Sequence, residues 1–244
     1  DDRVVDFVEK PQHPPALPGQ PERALASMGI YVFNARFLAE QLERDARTPG
    51  SSRDFGKDII PHLIDRHRVY AHRFAESCVN SGTQKPYWRD VGTIDAYWEA
   101  NMDMTKVTPE LDLYDRQWPI WTHQKQLPPA KFVFDDDERR GLAVDSLVAS
   151  GCIISGASVS RSLLFSSVRV HSWASVEDSV LLPDVEVGRH AVLRRCVVDR
   201  QCRIPEGMSI GVNPDEDRRR FYVSPRGVTL VTAAMLGQGP LWRP

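Results

Sequence analysis

The run DSLVASGCIISGASVS, residues 145–160, is followed by RSLLFSSVRVHSWASVE (161–177), DSVLLPDVEVGRHAVLR (178–194) and RCVVDRQCRIPEGMSIG (195–211). Aligned end to end, these four segments repeat. Leu147, Leu163, Val180 and Val197 fall at one position, and Ile154, Val170, Val187 and Ile204 at a second. Ala157, Ala174, Ala191 and Met208 occupy a third, and Val159, Val176, Leu193 and Ile210 a fourth. Small or branched residues therefore recur at every face and corner, with a sub-period near six. Stacked coils that bury matching inward ladders, with short turns between three flat sides, need this pattern. The reading is a left-handed parallel β-helix.

Working outward from the coils, residues 105–137 change character. Pro109, Pro119, Pro128 and Pro129 are interspersed with Trp118 and Trp121, which suits an extended connector packed on its neighbours. Before it, strand-like and helical patterns alternate. Val4 to Lys10 and Ala24 to Phe33 read as strands, the second with Gly29 inside it, and Val69 to Phe74 as a short third. Ala35 to Arg44 reads as a helix with Phe37, Leu38 and Leu42 on one face, and Asp54 begins a second helical run that Pro61 is expected to kink. That order points to an α/β region with a parallel or mixed sheet. The expected division is 1–104, 105–137 and 138–244.

KPYWRDVGTIDAYWEAN, residues 85–101, carries the most chemistry. It reads as a strand running into a loop at Asp90, with Thr93 as the N-cap of an amphipathic helix. A carboxylate at a strand's C-terminal end is where open α/β sheets place ligands. Magnesium held partly by phosphates wants one or two such groups. The structural alternative is that Asp90 closes its own turn or pairs with Arg89. Glu9 and Lys10, at the end of the first strand, pair a hydrogen-bond acceptor for sugar hydroxyls with a point charge for phosphate. As a dipeptide they are equally an ordinary surface pair.

With 244 residues, 41% hydrophobic and 26% charged, the composition is that of a globular protein with a sizeable core. A net charge of -2 gives no reason to expect nucleic acid, and no apolar run approaches the roughly 20 residues of a spanning helix. Cys78, Cys152, Cys196 and Cys202 form no C-x-x-C pair, which suits reduced thiols in a cytoplasm. No nucleophile arrangement for covalent catalysis is visible. Asp65, His67, Arg68, His72 and Arg73 read as solvated faces, and His171 and His190 as surface residues of the coils, without the carboxylate constellation an acyltransferase reading would need. The chain opens at Asp1 directly on apolar alternation, with neither initiator Met nor targeting segment, and is expected to be a fragment.

FVEKP near the start, DFGKDIIP, YWRDVGT, LYDRQWPIWT and PPAKFVF, in that order, resemble the bacterial glucose-1-phosphate adenylyltransferases of glycogen synthesis over nearly the whole chain. The resemblance implies half of a nucleotidyltransferase catalytic domain followed by a regulatory β-helix. The nucleotide's Gly-rich loop and second metal carboxylate would lie outside this sequence. It implies that Glu9 and Lys10 bind glucose 1-phosphate, with Ser27, Tyr31, Asp54 and Phe55 in the same site and Trp88 lining the sugar pocket. Asp90 would hold Mg2+ as the catalytic carboxylate. ATP and glucose 1-phosphate are then the substrates, a homotetramer the assembly, and a phosphorylated or carboxylate metabolite the effector. Arg200 matches an effector arginine of that family. Arg218, Arg219 and Arg220 form a basic cluster, read either as a solvated face or as an anion site. The tail TAAMLGQGPLWRP departs from members activated by fructose bisphosphate, which leaves the effector open. Two further readings stand beside this one: another sugar-1-phosphate nucleotidyltransferase, and a non-catalytic regulatory subunit assembling through its coils.

Overall fold

The computed structural model describes residues 2–77, 86–116, 119–120, 125–136 and 139–239. Cys78, Lys85, Trp118 and Trp121 lie outside the described residues. The chain divides into two compact units, 1–77 and 78–244.

In the second unit a parallel β-helix dominates. One face stacks Leu147–Val148, Leu163–Leu164, Val180–Leu181, Cys196–Val198 and Thr229–Val231, with Tyr222–Val223 antiparallel at its end. A second stacks Lys131–Val133, Ile153–Ser155, Arg169–Val170, Glu186–Val187 and Arg203–Ile204. The third stacks Leu142–Val144, Ser158–Ser160, Ser175–Glu177, Val192–Arg194 and Ser209–Ile210. The register is the one the repeats dictate. Leu163 pairs with Leu147 and Val180, Val170 with Ile154 and Val187, and Val176 with Val159 and Leu193. Ile154, Val159, Val170, Val176, Val187 and Leu193 are all fully buried and form one continuous core. Stacking begins earlier than the repeats suggest, because Lys131–Val133, from the expected connector, already pairs with Ile153–Ser155.

Hydroxyls fill one interior corner. Ser162 and Ser179, both buried, accept from the amides of Ser179 and Cys196 in the next coil and donate to carbonyls two residues back. Every polar atom there is paired, which is what makes serine tolerable inside. Burial pushes the Cys196 thiol up to about 12 and the Cys202 thiol to about 11, so both behave as small core hydrophobes. Cys152, Cys196 and Cys202 are free and buried.

The first unit is a short α/β region. Helix α1 (Ala35–Ala46) is capped by Asn34, whose side chain accepts from the Arg36 and Phe37 amides. Pro61 does not kink a continuous helix. A π-helical turn, Phe55–Ile59, comes first, and α2 (Ile60–Ile64) restarts with the proline in its first turn, where a missing N–H costs little. Helix α3 (Phe74–Ser77) follows. The expected strands are corrected. Val4 to Lys10 and Val69 to Phe74 are reduced to one antiparallel bridge between Arg3 and Tyr70, flanked by Val4 N–H to the Val69 carbonyl at 2.9 Å. Ala24 to Phe33 is a strand only at Ala24, the last residue of Gln20–Ala24, which pairs with Ala16–Leu17. The physical reason is that a strand exists only where a neighbour accepts its ladder, and Gly29, at φ 70°, interrupts the extended run. Ile30 and Val32 are exposed in consequence.

Among the described residues no helix is long and apolar enough to cross a membrane.

Candidate functional site

Within the first unit, the DFGKD sequence builds a tight structure. Asp54 stands before the π-helical turn and accepts from the Gly56 and Lys57 amides at 2.8 and 3.0 Å. Its own amide donates to Asp58, which also accepts from the Ser52 hydroxyl at 2.5 Å. The Ser52 hydrogen bond, followed by the Asp54 amide, holds the Asp58 carboxyl below its ordinary value. Gly56 is buried with the Glu9 carboxylate laid over its Cα, so that a Cβ there would overlap Glu9. That close approach brings Glu9 beside Asp54 and Phe55, a juxtaposition that Gly56 alone signals in the sequence. Lys10 extends into solvent at 90% exposure, 3.4 Å from its neighbour Glu9, with its backbone held at φ 47°.

Tyr31 and Phe55 stack with centroids 5.6 Å apart, and Phe33 joins both at 6.3 and 6.1 Å. The Ser27 hydroxyl lies 3.3 Å from the Tyr31 hydroxyl and accepts from the Gly29 amide. Six of the sequence-nominated residues, Glu9, Lys10, Ser27, Tyr31, Asp54 and Phe55, thus belong to one unit, joined through the Phe55–Gly56 step. The arrangement offers an aromatic wall, hydroxyls, a carboxylate and an exposed ammonium, groups able to hydrogen-bond a polar ligand.

Trp88 and Asp90 belong to the second unit. Residues 86–92 are not a strand, which corrects the expectation of a strand end. Asp90 is exposed and its Oδ1 accepts from the Gly92 amide at 2.9 Å, closing an Asx turn. It does not pair with Arg89. That guanidinium reaches Glu110 at 2.8 Å and Asp103 at 3.8 Å. Trp88 is half exposed. Thr93 caps α4 (Ile94–Asp103) as expected, accepting from the Ala96 amide at 3.1 Å.

Helix α4 packs on the β-helix. Ile94, Tyr97, Trp98 and Met102 lie against Val180, Val197 and Val228. Trp98 donates its indole N–H to the Asp178 carbonyl at 2.7 Å, and Arg195 covers its ring at 4.3 Å. Asp103, buried at the helix end, accepts from Lys106 at 2.5 Å and from the Glu110 amide. Burial works against its charge, but Lys106, that amide and Arg89 together outweigh it and hold the carboxyl below the ordinary value.

The basic cluster lies on α5 (Pro214–Arg220), three acids followed by three arginines, an order that suits the helix dipole at both ends. Arg218 pairs with Asp215 at 2.9 Å and Arg220 with Glu216 at 3.0 Å, so much of this charge is spent within the helix; Arg219 is exposed. Arg200 is exposed in a turn after Asp199. His171 does have a carboxylate partner, Glu186 at 2.9 Å, and His190 stacks on Trp173 at 4.9 Å. Arg203 also meets Glu186, at 4.0 Å, and Arg189 lies over the Trp173 ring at 4.5 Å. Among the described residues no group of three or more His, Cys, Asp or Glu side chains is placed to hold a metal ion.

The family described as nucleotidyl transferase matches residues 1–107, and that described as GlmU-like, C-terminal hexapeptide matches 128–231. A glucose-1-phosphate adenylyltransferase from Dechloromonas aromatica (strain RCB) is 78% identical over 98% of this chain and 54% of its own length. Over the span it shares with them, the chain is similar to the glucose-1-phosphate adenylyltransferases. The enzyme of that name from Methylobacillus flagellatus is 67% identical over 97% of this chain and 56% of its own. The one from Nitrosospira multiformis is 65% identical over 98% and 56%. The chain spans about half the length of these curated relatives. By sequence, α4 falls in the nucleotidyl transferase match, yet it packs on coils of the hexapeptide match.

Proposed function

We propose that this chain is the sugar-phosphate portion and regulatory β-helix of an enzyme that makes ADP-glucose and pyrophosphate from ATP and glucose 1-phosphate, for glycogen synthesis in the cytoplasm. The observation that carries the reading is the 78% identity to a glucose-1-phosphate adenylyltransferase, extending through both the DFGKD unit and the coils. On it, residues 1–104 belong to the catalytic domain, 105–137 to a connector and 138–244 to the regulatory module.

In the reaction a phosphate oxygen of the sugar phosphate forms a bond to the α-phosphorus of ATP in line, as the bond to the departing pyrophosphate breaks. No proton need pass through a side chain, so positioning and charge neutralisation supply most of the rate. Lys10, extended and exposed, would meet the sugar phosphate, and Glu9 would accept from sugar hydroxyls. Ser27, Tyr31, Asp54 and Phe55 would complete the contacts to this ligand, and Trp88 would line the sugar pocket. Asp90 has one oxygen committed to the Gly92 amide and is open to solvent. One such carboxylate fits magnesium, which keeps several waters and takes its other ligands from phosphates. Bound there, the ion would neutralise charge at the reacting phosphates. Exposed Arg200 and Arg219, beside Arg218 and Arg220, would receive an anionic effector in a homotetramer.

The test is Asp90→Asn and Lys10→Ala in the full-length enzyme, assayed for ADP-glucose formation. Asp90→Asn is expected to lower turnover about a hundredfold or more. Lys10→Ala is expected mainly to raise KM for glucose 1-phosphate, about tenfold. Unchanged turnover in Asp90→Asn removes the metal role, and product from mannose 1-phosphate with GTP in place of ADP-glucose removes the substrate assignment.

A further inference from the structure

Asp90 is tied to α4 by a short rigid path. Its carboxylate closes on the Gly92 amide, Thr93 caps the helix, and Asp95 lies in the first helical turn. Besides its packing on the coils, the helix is held from the far end of the β-helix. The Ser224 hydroxyl donates to Asp95 Oδ1 at 2.5 Å and accepts from the Val228 amide at 2.8 Å, so its direction is set by the Tyr222–Val231 hairpin. Arg226 reaches the same face twice, through its amide to Asp95 Oδ2 at 3.4 Å and through its guanidinium to Glu99. Asp95 and Glu99 are i and i+4 neighbours, so Arg226 and Ser224 together fix both the rotation of α4 and its position along its axis. A hydrogen bond to a carboxylate is charge-assisted, and the hairpin carrying the donors is the last rung on one β-helix face.

We propose that Ser224 and Arg226 are positioning residues for Asp90, so that the terminal hairpin of the β-helix, through α4, sets where this carboxylate stands. The inference rests on the reading of Asp90 as a metal carboxylate. It follows because a ligand group must be held to about 0.5 Å of its productive place, and the Asp90 turn has few restraints of its own: it is exposed, and outside any strand. Arg89 fastens the turn to the other end of the same helix, through Asp103, so both sides of the turn report the position of α4. Trp98, bonded to the Asp178 carbonyl, anchors the helix between the two ends.

The experiment uses the full-length enzyme with Ser224→Ala, Ser224→Thr, Arg226→Ala and Glu99→Gln. Hydrogen–deuterium exchange of residues 88–97 is read first. It is expected to quicken about tenfold in Ser224→Ala and Arg226→Ala, with the melting temperature within about 2 °C of the parent. Half-saturating magnesium should rise about tenfold while KM for glucose 1-phosphate stays within about twofold. Ser224→Thr, which keeps the hydroxyl, should restore both. Glu99→Gln keeps the backbone and shape and should give a smaller rise in exchange, and it carries the test where a Ser224 variant fails to fold. Exchange and magnesium dependence equal to the parent in Arg226→Ala and Glu99→Gln overturn the proposal. Asp90→Asn serves as the separate arm. If it keeps turnover, the metal reading fails, and the exchange data still decide whether the hairpin holds the turn.

Discussion

The coils and the first unit use similar residues and reach different outcomes. In the coils Val176 is completely buried between Val159 and Leu193, and its ladder partners lie one coil away in sequence. In the first unit Val32 stands 97% exposed in a segment with equal strand propensity and no ladder. The difference is the distance along the chain at which a strand's partner is found. A solenoid supplies it from the adjacent repeat, so each rung is complete once its neighbours exist. An α/β sheet draws neighbours from strands separated by whole helices, and an extended segment lacking one keeps its apolar side chains in water.

The largest expected effect tests the closed half of that comparison. Leu193→Ala removes a fully buried side chain from the middle of an inward ladder, between Val176 and Ile210. Coils above and below cannot collapse into the gap, so the loss should be about 3–4 kcal/mol by chemical denaturation. A cost below about 1 kcal/mol would mean that the ladders are loosely packed, and the contrast with the first unit would fail.

A smaller effect concerns α4, which belongs to the first part by sequence and to the coils by packing. Asp103→Asn leaves Lys106 and Arg89 without their buried partner and should cost about 2 kcal/mol at pH 7. The pH dependence has a definite sign. Because the folded carboxyl titrates below its ordinary 3.8, its contribution is complete above that value and is lost as pH falls through the lower folded value. Denaturation at pH 7 and pH 5 should therefore give the same difference between parent and variant, which shrinks only below about pH 4. A difference that changed between pH 7 and 5 would assign the effect to another group.

These contrasts also explain what was legible in the sequence. The β-helix was readable down to register, since Leu147, Leu163, Val180 and Val197 recur at the period their pairing requires. The Thr93 cap was equally plain, because capping is a local matter of a hydroxyl three residues from an amide. The strands of the first unit were over-read for the opposite reason: the alternation in Val4 to Lys10 specifies a strand only with a partner, and Arg3 with Tyr70 is all the described chain provides. At the candidate site, residue types were visible and their restraints were not. Nothing near YWRDVGT announces that Ser224 and Arg226, more than 120 positions on, reach the helix that follows it. Glu9 lying over Gly56 is a similar long-range fact, carried by one glycine.

The smallest expected effect tests the open half. Val32→Ala deletes two methyl groups that are almost wholly in water, so in this chain the change in stability should lie within about 0.5 kcal/mol. Strand propensity alone gives no more than that, because the preference of valine for strands is mostly the packing it finds there. The same substitution in a protein of the relatives' full length is the informative arm. If a neighbouring strand covers Val32 there, the cost should rise to about 1–2 kcal/mol, the value of burying those methyls. A cost of that size already present in this chain would mean that Val32 is packed, and that the first unit, like the coils, completes its own core from sequence-local partners.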